Sequence, residues 1–251
     1  MGGQMRPIDI MDALKRNVLE CEGPAVCKTC EARHGGVCAS LSVPQLVELN
    51  KHSSRRKVEA GNEVIGQGES VSTYSNILNG VVKLSKMMAD GRQQIVGLQF
   101  APDFLGRPHQ EESTVTAEAA TDTEICVFPR ALIDRIVSET PDFERMLYEQ
   151  SLKELDEARD WMLTLGRKTA QEKVASFLHL IATHIDPENA SPRTFDLPLS
   201  RADIADFLGL TIETVSRQMT KLRKEGIIVI ENNRHVTVPS LERLRCVAGN
   251  D

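Results

Sequence analysis

No stretch of the 251-residue chain approaches the roughly 18 to 20 consecutive apolar residues of a membrane helix, and the N-terminus lacks the apolar core of a secretory signal. A cytoplasmic protein with no membrane partner is therefore expected. Also missing are a phosphate-cradling P-loop, a nucleophile elbow and any convincing catalytic constellation, so enzymatic activity is not expected. The second Cys-x2-Cys pair that a zinc ribbon would want is absent. Between Pro129 and Lys168 there is no glycine until Gly166, and helix formers dominate there.

What is present is unevenly spread. The net charge is −6, yet from Arg167 onward Lys+Arg number 12 against 11 Asp+Glu, so the acidic excess lies in front of that point. Within Thr211–Lys224 the basic residues Arg217, Lys221, Arg223 and Lys224 face a single acid, Glu213. A local basic face on an acidic protein is compatible with DNA, because the field near the groove is what counts.

Four regions separate by pattern. Residues 1–40 carry cysteines and lose periodicity after a short helical candidate near Ile8–Leu19. Residues 41–139 hold short alternating runs punctuated by glycine, with hairpin signals at Asn79-Gly80 and Ala89-Asp90-Gly91-Arg92. That texture predicts a jelly-roll-like β-roll sensor domain. Residues 140–166 predict one long helix opening at Thr140-Pro141. Along it Tyr148, Ser151, Leu155, Ala158, Met162 and Leu165 follow 3-4-3-4-3 spacing, the seam of a short coiled coil and a candidate homodimer interface.

Residues 167–251 supply a reason for two-fold symmetry. LSRADIADFLGLTIETVSRQMTKLRKEG predicts two helices joined at Gly209, the first capped by Ser200 with Asp203, the second capped by Thr211 and ended by Gly226. IIVIENNRHVTVP then predicts two strands about Asn232-Asn233. The fold class is therefore α+β: a β-roll, a dimerisation helix and a C-terminal winged helix-turn-helix, a module that mostly binds double-stranded DNA. Ile212, Glu213, Ser216 and Arg217 occupy the turns that enter a major groove, where Arg reads guanine and Glu reads cytosine. Thr211, Lys221, Arg223 and Lys224 suit phosphates, which position without specifying.

Six cysteines remain: Cys21, Cys27, Cys30, Cys38, Cys126 and Cys246. In a reducing cytosol CKTCEARHGGVC signals metal or redox chemistry rather than disulfides. Cys27, Cys30 and Cys38 with His34 would make a zinc site; the same three thiols plus one remote cysteine would hold an iron–sulfur cluster. Both readings stay open on spacing alone, as does a thiol-redox role.

Taken together, the cysteine-bearing N-terminus, the β-roll, the long helix and LGLTIETVSR resemble the FNR branch of the CRP/FNR transcription regulators over almost the whole chain. The resemblance implies a [4Fe–4S] cofactor on Cys27, Cys30, Cys38 and Cys126, an oxygen response, and a TTGAT-N4-ATCAA-type palindrome read through Glu213, Ser216 and Arg217. RNA polymerase is the further partner it implies, at promoters of anaerobic or microaerobic genes. Seven residues separate Cys30 from Cys38 where the best-known members have five, a longer form of the FnrL/FnrN-like kind. Ala158 stands where the best-known member has an aspartate that weakens the dimer. A cyclic-nucleotide pocket would need an Arg-Ser pair in DFLGRPHQEESTVTAEAATDTEICVF; Arg107 is followed by Pro, and Glu111 and Glu112 are expected to repel a phosphate, so no cyclic nucleotide is expected.

Overall fold

Alternation broken by glycine builds the first half of the molecule. In a computed structural model that describes residues 24–185 and 192–249, eight strands form two four-stranded antiparallel sheets. The first has the order β1 (Ser54–Val58), β8 (Thr123–Pro129), β3 (Thr73–Asn79), β6 (Phe104–Leu105). The second has the order β2 (Glu63–Ile65), β7 (Thr116–Ala119), β4 (Val81–Met87), β5 (Gln93–Phe100). The helical candidate near Ile8–Leu19, and Cys21, lie outside the described residues.

Strand β3 is buried on both faces, because each face has its own cover. Ile77 packs between the two sheets with Val58, Val82, Leu105 and Ile125. Tyr74, on the opposite face, packs beneath the N-terminal segment with Cys38, Leu46, Phe104, Phe128 and Phe143. That segment runs as α1 (Ala25–Lys28), α2 (Glu31–His34), a 3₁₀ turn (Val37–Ser40) and α3 (Val43–His52). The last of these is capped by a Ser42–Gln45 box. Helix α3 was not foreseen, and it forms one wall of the cysteine cavity described below.

A ten-residue helix, α4 (Arg130–Glu139), separates β8 from the long helix α5 (Pro141–Arg167). Thr140 and Pro141 open α5 as expected. One stripe of α5 faces its own chain: Phe143 is buried, Gln150 donates to the Phe104 carbonyl at 3.2 Å, and the Trp161 ring meets Phe207 at a tilt, 4.5 Å between ring centroids. No helix among the described residues is long and apolar enough to cross a membrane.

The C-terminal part contains α6 (Ala170–Ile185), β9 (Arg193–Asp196), α7 (Arg201–Leu208), α8 (Ile212–Lys224), the wing strands β10 (Val229–Glu231) and β11 (His235–Val238), and α9 (Leu241–Val247). Gly209 takes φ +59° in the turn between α7 and α8, and Asn232 and Asn233 take positive φ in the wing turn. The wing gains a third strand, β9, which pairs with β11. Its short run RTFD carried no hairpin signal. This part packs on the β-roll through one shared core, in which Val81, Ile95 and Phe100 meet Phe177, Ile204 and Phe207. Lys83, nearly buried, bridges Glu118 at 3.0 Å and Asp203 at 2.7 Å across that junction.

Gly80 joins β3 to β4 at φ +95°, and a Cβ there would lie 2.8 Å from the Asp122 carbonyl oxygen and the Thr123 Cα. Gly91, at φ +85° in the next hairpin, has nothing within 4 Å. Gly80→Ala should therefore lower the unfolding free energy by about 1–3 kcal/mol, and by more than Gly91→Ala, which carries the backbone strain alone. Urea midpoints with unchanged slope measure both, and equal losses would show that the crowding at Gly80 is relieved.

Candidate cysteine site and nucleic-acid interface

The antiparallel register of the first sheet sets three residues in one row. Cys126 on β8 is directly opposite Arg55 on β1 and Asn76 on β3. Residues directly opposite share a sheet face. The N-terminal segment closes over this face, so that Cys27, Cys30, Cys38 and Cys126 line a single cavity of about 230 Å³ with Arg33, Arg55 and Asn76. These four cysteines are free thiols from three separate pieces of chain. Cys246, on α9, is exposed and remote from them.

Several contacts hold the loop to the row. Arg55 donates to the Val26 carbonyl at 2.9 Å. Arg33 donates to the carbonyls of Cys38 and Ala39 at 3.4 and 3.3 Å, clamping the 3₁₀ turn. Asn76 Nδ2 donates to Cys38 Sγ at 3.2 Å. His34, the alternative ligand in a zinc site, turns away: its Nε2 lies 3.1 Å from the Lys28 carbonyl, and it does not line the cavity.

Electrostatics in the cavity oppose thiolates at Cys27, Cys38 and Cys126. Burial pushes the Cys38 thiol up to about 12, against the Asn76 hydrogen bond, and neighbouring Cys126, Cys30 and Cys27 raise it further. Burial likewise lifts Cys126 to about 11, with a hydrogen bond from Ser53 opposing. Cys27 is raised by burial and by Cys30, with Arg55 and Arg33 acting in the other direction. Thiols placed together in a poorly solvated cavity ionise only when positive charge enters between them, and a metal centre supplies it. Among the described residues, no three His, Cys, Asp or Glu side chains converge closely enough to hold a single ion. Four thiols lining one cavity are a donor set that either a tetrahedral zinc or an iron–sulfur group could use.

Helix α4 stands between Cys126 on β8 and α5, so the cysteine site meets α5 elsewhere: the 3₁₀ turn carrying Cys38 packs against it. Gln45 adds a second tie, donating to the Thr140 hydroxyl at the α5 N-cap at 2.6 Å. On the outer stripe of α5, Tyr148, Ser151, Leu155, Ala158 and Met162 are exposed and Leu165 is half-buried. Tyr148 is 63% and Met162 72% exposed, and the equally outward Leu152 and Leu163, absent from the seam pattern, widen the apolar stripe.

Helix α8 presents a polar face. Val215, Met219 and Leu222 are buried, whereas Ile212, Glu213, Ser216 and Arg217 are exposed along one side of its N-terminal turns. Thr211 caps the helix by accepting from the Thr214 N–H at 3.2 Å. Lys221, Arg223 and Lys224 project from the last turns, with Lys221 donating to Gln171 at 2.7 Å.

A second cavity, of about 190 Å³, lies in the β-roll. Its charged lining residues are Glu69, Glu154 and Arg107. Glu111 and Glu112, the acids expected to intrude there, are on the surface outside it.

Comparison with known proteins matches this division. Residues 55–140 match the family model described as a cyclic nucleotide-binding domain, and residues 172–247 the model of a Crp-like helix-turn-helix domain. A probable transcriptional activator of Rhizobium leguminosarum bv. viciae is 66% identical over 93% of this chain and 98% of its own. The transcriptional activator protein FnrL of Cereibacter sphaeroides is 42% identical over 90% of this chain and 92% of its own. Among solved structures, FixK2 from Bradyrhizobium japonicum superposes with a TM-score of 0.71 at 32% identity, covering 78% of this chain and 96% of that one. With similarity of this degree across nearly its whole length, the chain belongs to the CRP/FNR family of transcription regulators.

Proposed function

We propose that this protein is a homodimeric transcriptional activator that senses oxygen through a [4Fe–4S] cluster held by Cys27, Cys30, Cys38 and Cys126. The observation that carries the reading is the single cavity onto which these four thiols, and neither His34 nor Cys246, open. Similarity to proteins named as transcriptional activators supports the activating role. When bound, the cluster supplies an oxygen-sensitive iron–sulfur centre that ties the N-terminal loop to β8. Cys27, Cys30, Cys38 and Cys126 would each release a proton on binding it, and Arg33 and Arg55 would offset part of the negative charge. Without that tie the loop is held to the sheet face by hydrogen bonds and packing alone, and the 3₁₀ turn loses part of its hold on α5.

The outer stripe of α5 is the proposed dimer seam. A palindrome of the TTGAT-N4-ATCAA type needs two recognition helices about one DNA turn apart, which one chain does not provide. On each α8, Glu213, Ser216 and Arg217 read base edges while Thr211, Lys221, Arg223 and Lys224 hold phosphates. RNA polymerase is the proposed further partner, anaerobic or microaerobic genes the targets, and the cytoplasm the location. A cyclic nucleotide is not part of this reading: Glu69 and Glu154 in the β-roll cavity would repel its phosphate, with Arg107 the one cation opposing them there.

Substitutions test the three parts separately. Cys126→Ser protein, purified anaerobically, should lose its iron and acid-labile sulfide, whereas Cys21→Ser and Cys246→Ser should keep both. A cluster that survives Cys126→Ser means the fourth ligand lies elsewhere. Arg217→Ala should weaken binding to the specific palindrome by about 1–3 kcal/mol and relax discrimination at its guanine. Lys224→Ala should weaken specific and random DNA alike, and the base-reading role is wrong if Arg217→Ala does the same in a gel-shift titration. Leu155→Asp should sediment as a monomer that retains the cluster but no longer binds the palindrome; a dimeric Leu155→Asp protein would place the interface elsewhere.

A further inference from the structure

Asn76 is 1% exposed in the middle of β3, and no generic requirement of the sheet asks for an amide there. Its backbone pairs with Cys126 on one side and Phe104 on the other. Its side chain crosses the cavity floor to donate from Nδ2 to Cys38 Sγ at 3.2 Å. The same residue therefore stands beside the strand thiol and reaches the loop thiol. Its Oδ1 is buried with no hydrogen-bond partner in the structure. A buried amide satisfied on one side only is unfavourable for folding, and an aliphatic residue of similar size would fill the place without that penalty. A use for the N–H is the remaining explanation on the page.

A thiolate sulfur accepts hydrogen bonds and has no proton to give, so an amide N–H is the matching donor. Donation stabilises negative charge on the sulfur. For an iron–sulfur group, hydrogen bonds to its sulfurs are among the factors that set the reduction potential. Such a bond favours the more negative, reduced form and so raises the potential. Resting on the iron–sulfur reading above, we propose that Asn76 is a positioning residue of the cysteine site. Its amide fixes the Cys38 sulfur against the Cys126 row and sets how readily the bound group gives up an electron to oxygen.

The test uses the full chain loaded anaerobically, with Asn76→Leu, which keeps the volume and removes the donor, and Asn76→Asp, which keeps the shape and presents oxygens instead. Iron and sulfide content, the midpoint potential from a redox titration followed by electron paramagnetic resonance, and the rate of bleaching in oxygenated buffer are read for each. Both variants should carry iron and sulfide, show a midpoint shifted to more negative potential, and bleach several-fold faster than the unaltered protein. The midpoint does not depend on occupancy, so partial loading leaves it readable. Unchanged potential and bleaching in both variants would overturn the proposal, as would complete failure of both to load, which would make Asn76 a structural requirement. Unaltered protein free of iron and sulfide would be a different result: it would sink the iron–sulfur reading itself, and this inference with it.

Discussion

The interaction on which the rest depends is the meeting of one buried and two half-buried thiols of the N-terminal loop with a thiol fixed in a strand. Sheet register determines where Cys126 stands and what flanks it, a guanidinium on β1 and an amide on β3. The loop has no such rigidity; it is two single-turn helices and a 3₁₀ turn, clamped by Arg33 and Arg55. Burial and the neighbouring sulfurs raise the Cys38 and Cys126 thiols, and hydrogen bonds and packing hold the loop to the sheet. On the proposed function, the loop–sheet contact is conditional on the bound group, which is what a sensor needs.

From there the path to the DNA-binding surface is short. The turn bearing Cys38 packs on α5, whose inner stripe is anchored to the β-roll by Gln150 and whose outer stripe is apolar and exposed. The winged part is docked rather than dangling. Gln94 donates to the Phe207 carbonyl at 3.1 Å, Lys83 reaches Asp203 in the Ser200 capping box, and the Trp161 ring of α5 packs at a tilt against Phe207 of α7. On the proposed function, a change at the cysteines alters the α5 pairing and, through this docking, the separation of the two recognition helices. Coupling of this kind requires a switchable element that both sites bias, and α5 touches the 3₁₀ turn carrying Cys38 and, through Trp161, helix α7 beside the recognition helix.

Much of this was legible in the residues themselves. Helix-turn-helix boundaries followed from Ser200, Gly209, Thr211 and Gly226 because caps and left-handed turns are local chemistry. The outward stripe of α5 followed from spacing alone. What escaped is non-local. Strand β9 forms because its partner β11 is some forty residues away, and RTFD carries no signal of its own. Helix α4 went unforeseen because its ten residues were counted with the β-roll, although the start of α5 at Thr140-Pro141 was legible. Asn76 looked like one polar position in an alternating strand; only the register with Cys126 and the fold-back of Cys38 give it a role. The acids of the β-roll cavity were misassigned to Glu111 and Glu112 for the same reason, since Glu154 enters it from a helix far along the chain.

Amide hydrogen exchange, followed by mass spectrometry on anaerobic protein and on the same sample after exposure to air, tests the conditional loop–sheet contact most directly. Protection should fall in residues 27–40 and in the N-terminal half of α5 when iron and sulfide are lost, while α8 and the wing keep their protection. An α5 as well protected after the loss as before it would contradict the coupling of the cysteine site to the dimer helix.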